Sequence, residues 1–305
     1  MNKHITNELA SNISDVALII EGGGLRASYT AGAIVTLLER ELYFPSVYGI
    51  SAGSSHAVNY LSRDKRRTKC SFVDFVTEPN FGGWGSFLHG NGYFNSPWIY
   101  EGIAEAVAGS DSPYAFDFET FAKNPAQIHI EAFDWESGAT VAWTRKDMPT
   151  MRDMMLRVRA SSSMPIFMPP TLIEGKTYLD GGMGESWGIL IDAARRDGYE
   201  RFFVIRTQPK GYRKSELSAA QKALFRTVFH AHPLVAEKTI ERPARYNALC
   251  DELERLESAG QAYVFYPEQM PVTNREIHVE KLQHAYDLGY EQAQREACAW
   301  ERWLA

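Results

Sequence analysis

Residues 49–53 read Gly-Ile-Ser-Ala-Gly, a G-x-S-x-G pattern centred on Ser51. That spacing suits a serine on a sharp strand-to-helix turn, its Oγ lifted above a sheet edge beside a helix N-terminus. Gly49 and Gly53 let the backbone bend and the helix pack closely. Such a serine could attack an acyl carbon; the plainer reading is a glycine-lined turn with a capping serine. A second glycine-rich turn, Glu-Gly-Gly-Gly-Leu-Arg at 21–26, follows the apolar run at 15–20. Free amides of Gly22, Gly23, Gly24 and Leu25 would receive negative charge, whether a phosphate, a dinucleotide or a transient oxyanion. Arg26 either adds charge there or stacks outward. A nucleophilic serine also needs a base, and Tyr-Leu-Asp-Gly-Gly at 178–182 offers Asp180, although Asp-Gly is also an ordinary turn dipeptide.

Both turns require strands behind them and helices ahead. Residues 15–20 read as a buried strand, and Ala27, Ala31, Ile34 and Leu38 lie at helical spacing after the first turn. A short strand at 45–50 and a helix through 54–63 repeat the pattern around Ser51. This is the grammar of a parallel sheet covered by helices, with both turns on one sheet edge. Further along, residues 126–145 predict a β-hairpin turning at Glu136–Gly138. Met151, Met154, Met155 and Val158 form a helix face that reads as core filling. Strands are expected at 201–207 and 262–267, within a mostly helical C-terminal third. Residues 81–100 break the rhythm; Trp84, Phe87, Tyr93, Phe94 and Trp98 could line an acyl pocket, form a lid, or pack onto the sheet. Residues 265–278 lie over the site or merely connect.

The chain has 305 residues, 45% hydrophobic, with a net charge of −6 from 32 basic and 38 acidic side chains. An acidic balance argues against a dedicated nucleic-acid binder. The basic run at 62–69 reads as a solvated helix end. Cys70, Cys250 and Cys298 are odd in number without C-x-x-C spacing, as in reduced cytosolic thiols. No apolar run is long enough for a membrane span, the polar first fifteen residues lack a secretory signal, and no histidine cluster has metal-ligand spacing. A cytoplasmic protein without metal or cofactor is expected.

Taken in order, Gly-Gly-Gly-Leu-Arg (22–26), Gly-Ile-Ser-Ala-Gly (49–53), Arg-Ala-Ser-Ser-Ser-Met-Pro-Ile-Phe-Met-Pro-Pro (159–170) and Asp-Gly-Gly (180–182) resemble the patatin-like phospholipase family. The resemblance covers roughly residues 20–182. It implies an α/β fold, a three-layer α/β/α sandwich with a mainly parallel sheet. The expected organisation is one domain over 1–305, with a core at about 15–210 and a mostly helical part at 211–305. It also implies a dyad: Ser51 as nucleophile, Asp180 taking its proton directly, and an acyl-enzyme released by water. Gly22, Gly23, Gly24 and Arg26 match the family's oxyanion loop. The implied substrates are phospholipid, lysophospholipid or other lipid acyl esters, met with transient contact at a membrane surface. Where the family usually has glycine after the loop arginine, this chain has Ala27, whose methyl fits at negative φ.

Rival readings remain open at this level. A Ser-His-Asp hydrolase would draw its base from His230 or His232, which follow Ser51 and Asp180 in the required chain order. His56, five residues past Ser51, is expected to point elsewhere. Residues 22–27 also satisfy G-x-G-x-x-A with Glu41 further on, the mark of a dinucleotide site, although Glu41 closes a helix instead of tipping a second strand. A scaffold that retains the fold without turnover is the third.

Overall fold

The computed structural model describes residues 9–103, 107 and 110–305. Among these, eight strands form one sheet: β1 (Val16–Ile20), β2 (Ser46–Gly49), β3 (Gln127–Asp134), β4 (Thr140–Thr144), β5 (Thr171–Ile173), β6 (Lys176–Asp180), β7 (Arg201–Ile205) and β8 (Ala262–Phe265). Strands β3, β2, β1, β7 and β8 run parallel in that spatial order, while β4, β5 and β6 pair antiparallel. The expected strands and the hairpin at 126–145 are present, and the fold is a three-layer α/β/α sandwich.

Strand β1 is apolar throughout because both of its faces are covered. Leu18 and Ile20 join one core with Ile34 and Leu37 of helix α1 (Ala27–Glu39). Ala17 and Ile19 join the opposite core. On the first face α1 is accompanied by α2 (Ala52–Leu61), α3 (Met151–Ser162) and, after α4 (Ala219–Val228) and α5 (Pro233–Ser258), by α6 (Val279–Leu304). Tyr246, Leu249 and Leu253 of α5 cover the second face. The methionine face of α3 is core: Met154, Met155 and Val158 are buried. Cys70, Cys250 and Cys298 are free thiols.

Helices α1 and α6 cross at two glycines. A Cβ on Gly289 would stand 2.0 Å from the Tyr29 carbonyl oxygen, and one on Gly32 would stand 2.2 Å from the Tyr290 nitrogen. Both obstacles are backbone, so no rotamer change relieves them. Gly289→Ala is therefore expected to destabilise the protein by about 2 kcal/mol. Overpacking of roughly 3 kcal/mol outweighs the ~1 kcal/mol that alanine gains in helix propensity. A lowered urea midpoint at unchanged slope would verify this; an unchanged midpoint would contradict it.

The basic run at 62–69 departs from its expected solvation. Asp64 caps the short helix Lys65–Cys70 and turns Arg67 inward, where it is only 5% exposed. Its guanidinium donates to Asn59 Oδ1 at 2.5 Å and to the Tyr114 carbonyl at 3.2 Å, oxygens that replace its water. Lys65 and Arg66 remain exposed.

Candidate active site

Ser51 sits between β2 and α2 with φ 52° and ψ −130°, a left-handed conformation that costs a non-glycine residue ~1–3 kcal/mol. Its flanking glycines explain how the turn closes. A Cβ on Gly53 would lie 2.1 Å from the Ile20 carbonyl oxygen, and one on Gly49 would lie 2.4 Å from the Gly53 oxygen. Only bare backbone lets α2 press this close to β1 and β2. The Ser51 amide donates to Ser161 Oγ at 3.0 Å, so the end of α3 holds the turn.

Strand register brings Asp180 to Ser51. Gly49 pairs with Ile130 of β3, and Asp180 pairs with Ala132 two residues further along. Strand β4 occupies the other edge of β3 at both Ile130 and Ala132. Strands β2 and β6 therefore meet head to head on one edge of β3, with Ser51 just past one end and Asp180 at the other. Ser51 Oγ donates to Asp180 Oδ2 at 2.6 Å, and the Gly182 amide donates to Asp180 Oδ1 at 2.8 Å. The Asp180 amide is held by the Ser163 carbonyl at 2.8 Å. The serine-rich segment after Arg159 thus braces both members of the pair.

Ser51 and Asp180 are 8% and 6% exposed. Burial raises the Asp180 carboxyl above the usual aspartate value, opposed by the Arg242 charge and by hydrogen bonds from Ser51 and Gly182. A carboxylate made more basic, hydrogen-bonded to a hydroxyl and shielded from water, is suited to accept that hydroxyl's proton.

The first glycine turn lies against the same serine. A Cβ on Gly22 would fall 2.8 Å from Ser51 Cβ, and one on Gly23 would fall 2.6 Å from Thr207 Oγ1. Gly24 takes φ 56°, where glycine alone is unstrained, with the Asn274 carbonyl packed against its Cα. Among the described residues no acceptor engages the amides of Gly22, Gly23 or Gly24. The Leu25 amide differs from expectation: it donates to the Asn274 oxygen at 3.1 Å and is not free. Residues 265–278 therefore brace the glycine turn through Asn274. Ala27 adopts φ −63°, so its methyl is accommodated without strain.

A cavity of about 310 Å³ contains Ser51, Asp180, the three glycines and Arg26. Met164, Ile166, Phe167, Phe225 and Phe229 give it an apolar wall, while Lys214, Arg242, Tyr246 and Glu21 give it a polar one. The stretch 81–100 divides its aromatics. Phe81, Tyr93 and Phe94 enter the core, whereas Trp84 is 68% and Leu88 is 83% exposed. Phe87 reaches a neighbouring groove that shares Pro165, Ile166 and Phe229 with the cavity.

The histidines considered as bases lie apart from the pair. His230 contacts the Thr227 carbonyl at 3.1 Å, and the His232 ring stacks on Trp135 with centroids 3.9 Å apart. His56 is buried between α1 and α2, its Nε2 within 3.0 Å of the Ala27 carbonyl; burial pushes it down to about 3, and it stays neutral. Among the described residues no histidine bonds Ser51 or Asp180. Glu41 lies beyond the end of α1, away from any strand tip.

A model of the patatin-like phospholipase family matches residues 18–191, more than half of the chain. A domain of unknown function, DUF6363, matches residues 232–305. Among curated proteins, uncharacterized protein YjjU of Escherichia coli (strain K12) is 26% identical over 205 residues, which are 64% of this chain and 52% of YjjU. The chain thus spans about half the length of that relative. Among solved structures, VipD from Legionella pneumophila matches with a TM-score of 0.50 at 13% identity. That alignment covers 92% of this chain and 66% of VipD, a likeness of fold. With the family match running through both glycine turns and Asp180, and the parallel sheet placing them on one edge, the chain belongs to the patatin-like phospholipase family.

Proposed function

We propose that this protein is a serine acyl hydrolase of lipid esters, phospholipid or lysophospholipid, with Ser51 as nucleophile and Asp180 as its base. The observation that carries the reading is the 2.6 Å hydrogen bond from Ser51 Oγ to Asp180 Oδ2 at a half-apolar cavity. In this mechanism Asp180 takes the hydroxyl proton as Oγ bonds to the acyl carbon. The carbonyl oxygen becomes an oxyanion facing the amides of Gly22, Gly23 and Gly24, with Arg26 adding positive charge. Collapse expels the alcohol, which takes the proton from Asp180, and leaves the acyl group esterified to Ser51. Water then attacks that ester, Asp180 accepts its proton, and the carboxylic acid departs as Ser51 regains its hydrogen. The pair needs no metal or cofactor for these steps.

The acyl chain has an apolar route from the cavity past Ile166 and Phe229 to the groove that Phe87 lines. Exposed Trp84, Leu88 and Ile166 near that route favour transient contact with a lipid surface. Among the described residues no helix is long and apolar enough to cross a membrane. We place the protein in the cytoplasm, peripheral to the membrane, and treat the whole chain as one functional domain, since the region after residue 191 closes the cavity through Lys214, Phe225, Phe229, Arg242 and Tyr246.

A fluorophosphonate probe followed by mass spectrometry of the adduct tests the reading. The modified peptide should carry the probe on Ser51. A His230→Ala, His232→Ala double variant should keep its labelling rate within about twofold, because neither ring reaches the pair; a roughly 10³-fold loss would favour a histidine base. Absence of labelling and of ester hydrolysis would leave the scaffold reading.

A further inference from the structure

Three basic side chains on the cavity wall have no assigned task beyond Arg26's place near the oxyanion loop. Arg26, Lys214 and Arg242 come from the glycine turn, the loop after β7 and helix α5. None makes an ion pair among the described residues, and the buried Nε atoms of Arg26 and Arg242 have no hydrogen-bond partner. The carboxylates nearby are committed elsewhere. Glu21 accepts from Arg206 Nε at 2.8 Å, the Thr207 amide at 2.7 Å and the Tyr246 hydroxyl at 2.6 Å. Asp180 accepts from Ser51 and Gly182. Counting Arg206, four cations face two carboxylates.

The cluster is also built. The Lys214 backbone is fastened to α5 by Asn247, which accepts from the Lys214 amide at 2.8 Å and donates to its carbonyl at 2.9 Å. Its ammonium stands 4.1 Å from the Tyr246 ring centroid. Arg242 precedes Pro243, which lacks the amide that would bond the Thr239 carbonyl within α5, at the point where Thr239 and Arg242 both line the cavity. Burial and the charge of Arg242, with a smaller push from Arg26, bring the Lys214 amine down to about 8 against the attraction of Glu21. Desolvated like charges whose neighbouring carboxylates, Glu21 and Asp180, are already hydrogen-bonded to other groups are costly, and an anion entering the cavity lowers that cost.

We propose that Lys214 and Arg242, with Arg26, form a phosphate subsite beside Ser51, so that the favoured acyl esters carry a phosphate group close to the scissile ester. The inference rests on the hydrolase reading for its substrate. The anion recognised is a phosphate ester, which the lipid itself would supply, or free inorganic phosphate.

The experiment compares a monoacyl glycerophosphate with a monoacylglycerol of equal chain length, at constant ionic strength, in wild-type protein and Lys214→Gln, Arg242→Gln and Lys214→Arg variants. Wild type should prefer the phosphate ester. Lys214→Gln should reduce that preference in kcat/KM roughly tenfold to a hundredfold, mainly through KM, and Lys214→Arg should restore most of it. Lys214→Gln is the cleaner probe, because Arg242 also acts on the Asp180 carboxyl. In parallel, thermal shift of the Ser51→Ala protein is measured with inorganic phosphate against chloride. Stabilisation by phosphate that Lys214→Gln removes would support the subsite even if no ester is hydrolysed, a result that sinks the hydrolase reading alone. Phosphate stabilisation without a phosphate-ester preference would assign the subsite to the free ion. No preference in wild type together with no phosphate stabilisation would overturn the proposal.

Discussion

Ser51→Ala is expected to eliminate fluorophosphonate labelling and to lower acyl-ester turnover by about 10³-fold or more, with the fold intact. Removing the nucleophile of a serine hydrolase typically costs ~10⁶-fold, and the remainder comes from oxyanion donors and binding. In the proposed mechanism those donors are the backbone amides of Gly22, Gly23 and Gly24, which line the cavity and which the substitution leaves in place. Alanine keeps Cβ and the amide bond to Ser161 Oγ, losing only the hydroxyl and its bond to Asp180. It also keeps the backbone at φ 52°, so the strain of the turn persists. Ser51→Gly separates the two effects, since glycine adopts that conformation without penalty. The glycine variant should be as inactive as the alanine variant yet unfold at a higher urea concentration. Retained turnover in either variant would mean that the chemistry lies elsewhere.

Much of this site is legible in the sequence, for a local reason. Each glycine turn is a strand, a bend and a helix in one continuous stretch, residues 16–39 and 46–61, so its pattern is readable locally even where the neighbour that demands the glycine lies outside that stretch. Gly53 must be glycine because Ile20 lies against it. The meeting of Ser51 with Asp180 has no such local signature. It depends on β2 and β6 sharing one edge of β3, a register between residues 129 positions apart, and the family resemblance implies it where composition does not. The bracing by Ser161 and Ser163 is hidden for the same reason: a serine at a helix end reads as a cap until its partner is known.

The charged half of the cavity was illegible. Lys214 lies in a polar loop and Arg242 in a helix with charged residues on several sides, so neither position has a spacing that marks it. Arg67 shows the complementary failure. A basic run reads as solvated, yet one member turns inward because Asn59 and the Tyr114 carbonyl supply acceptors from outside the run. Leu25 loses its amide to Asn274, almost 250 residues away. Asn274 and Tyr114 are distant in the chain, and Asn59, eight residues before Arg67, lies outside the basic run.

Asp180→Asn carries the second large effect, and it separates catalysis from stability. The asparagine oxygen can still accept from the Gly182 amide, but its amide nitrogen then faces Ser51 Oγ as a donor and cannot take the hydroxyl proton. Turnover should fall about 10⁴-fold, on the scale seen when an asparagine replaces the aspartate of a serine-hydrolase triad. In the proposed mechanism the deprotonated carboxylate is the active form, so kcat/KM is expected to rise with pH along an acidic limb. Because burial raises the Asp180 carboxyl, that limb should lie above the ordinary aspartate value. Stability moves the other way. With the folded pKa above the unfolded one, the native state binds the proton more tightly, and the stability this supplies below the unfolded pKa is lost as pH rises through the folded pKa. Activity and this share of stability therefore trade against each other across one pH window. Asp180→Asn carries no charge at any pH, so its unfolding free energy should lack that decline and exceed wild type at neutral pH, while its activity is nearly gone. Urea midpoints and kcat/KM measured from pH 3.5 to pH 8 read both curves; a variant that loses stability along with activity would show Asp180 to be a structural anchor.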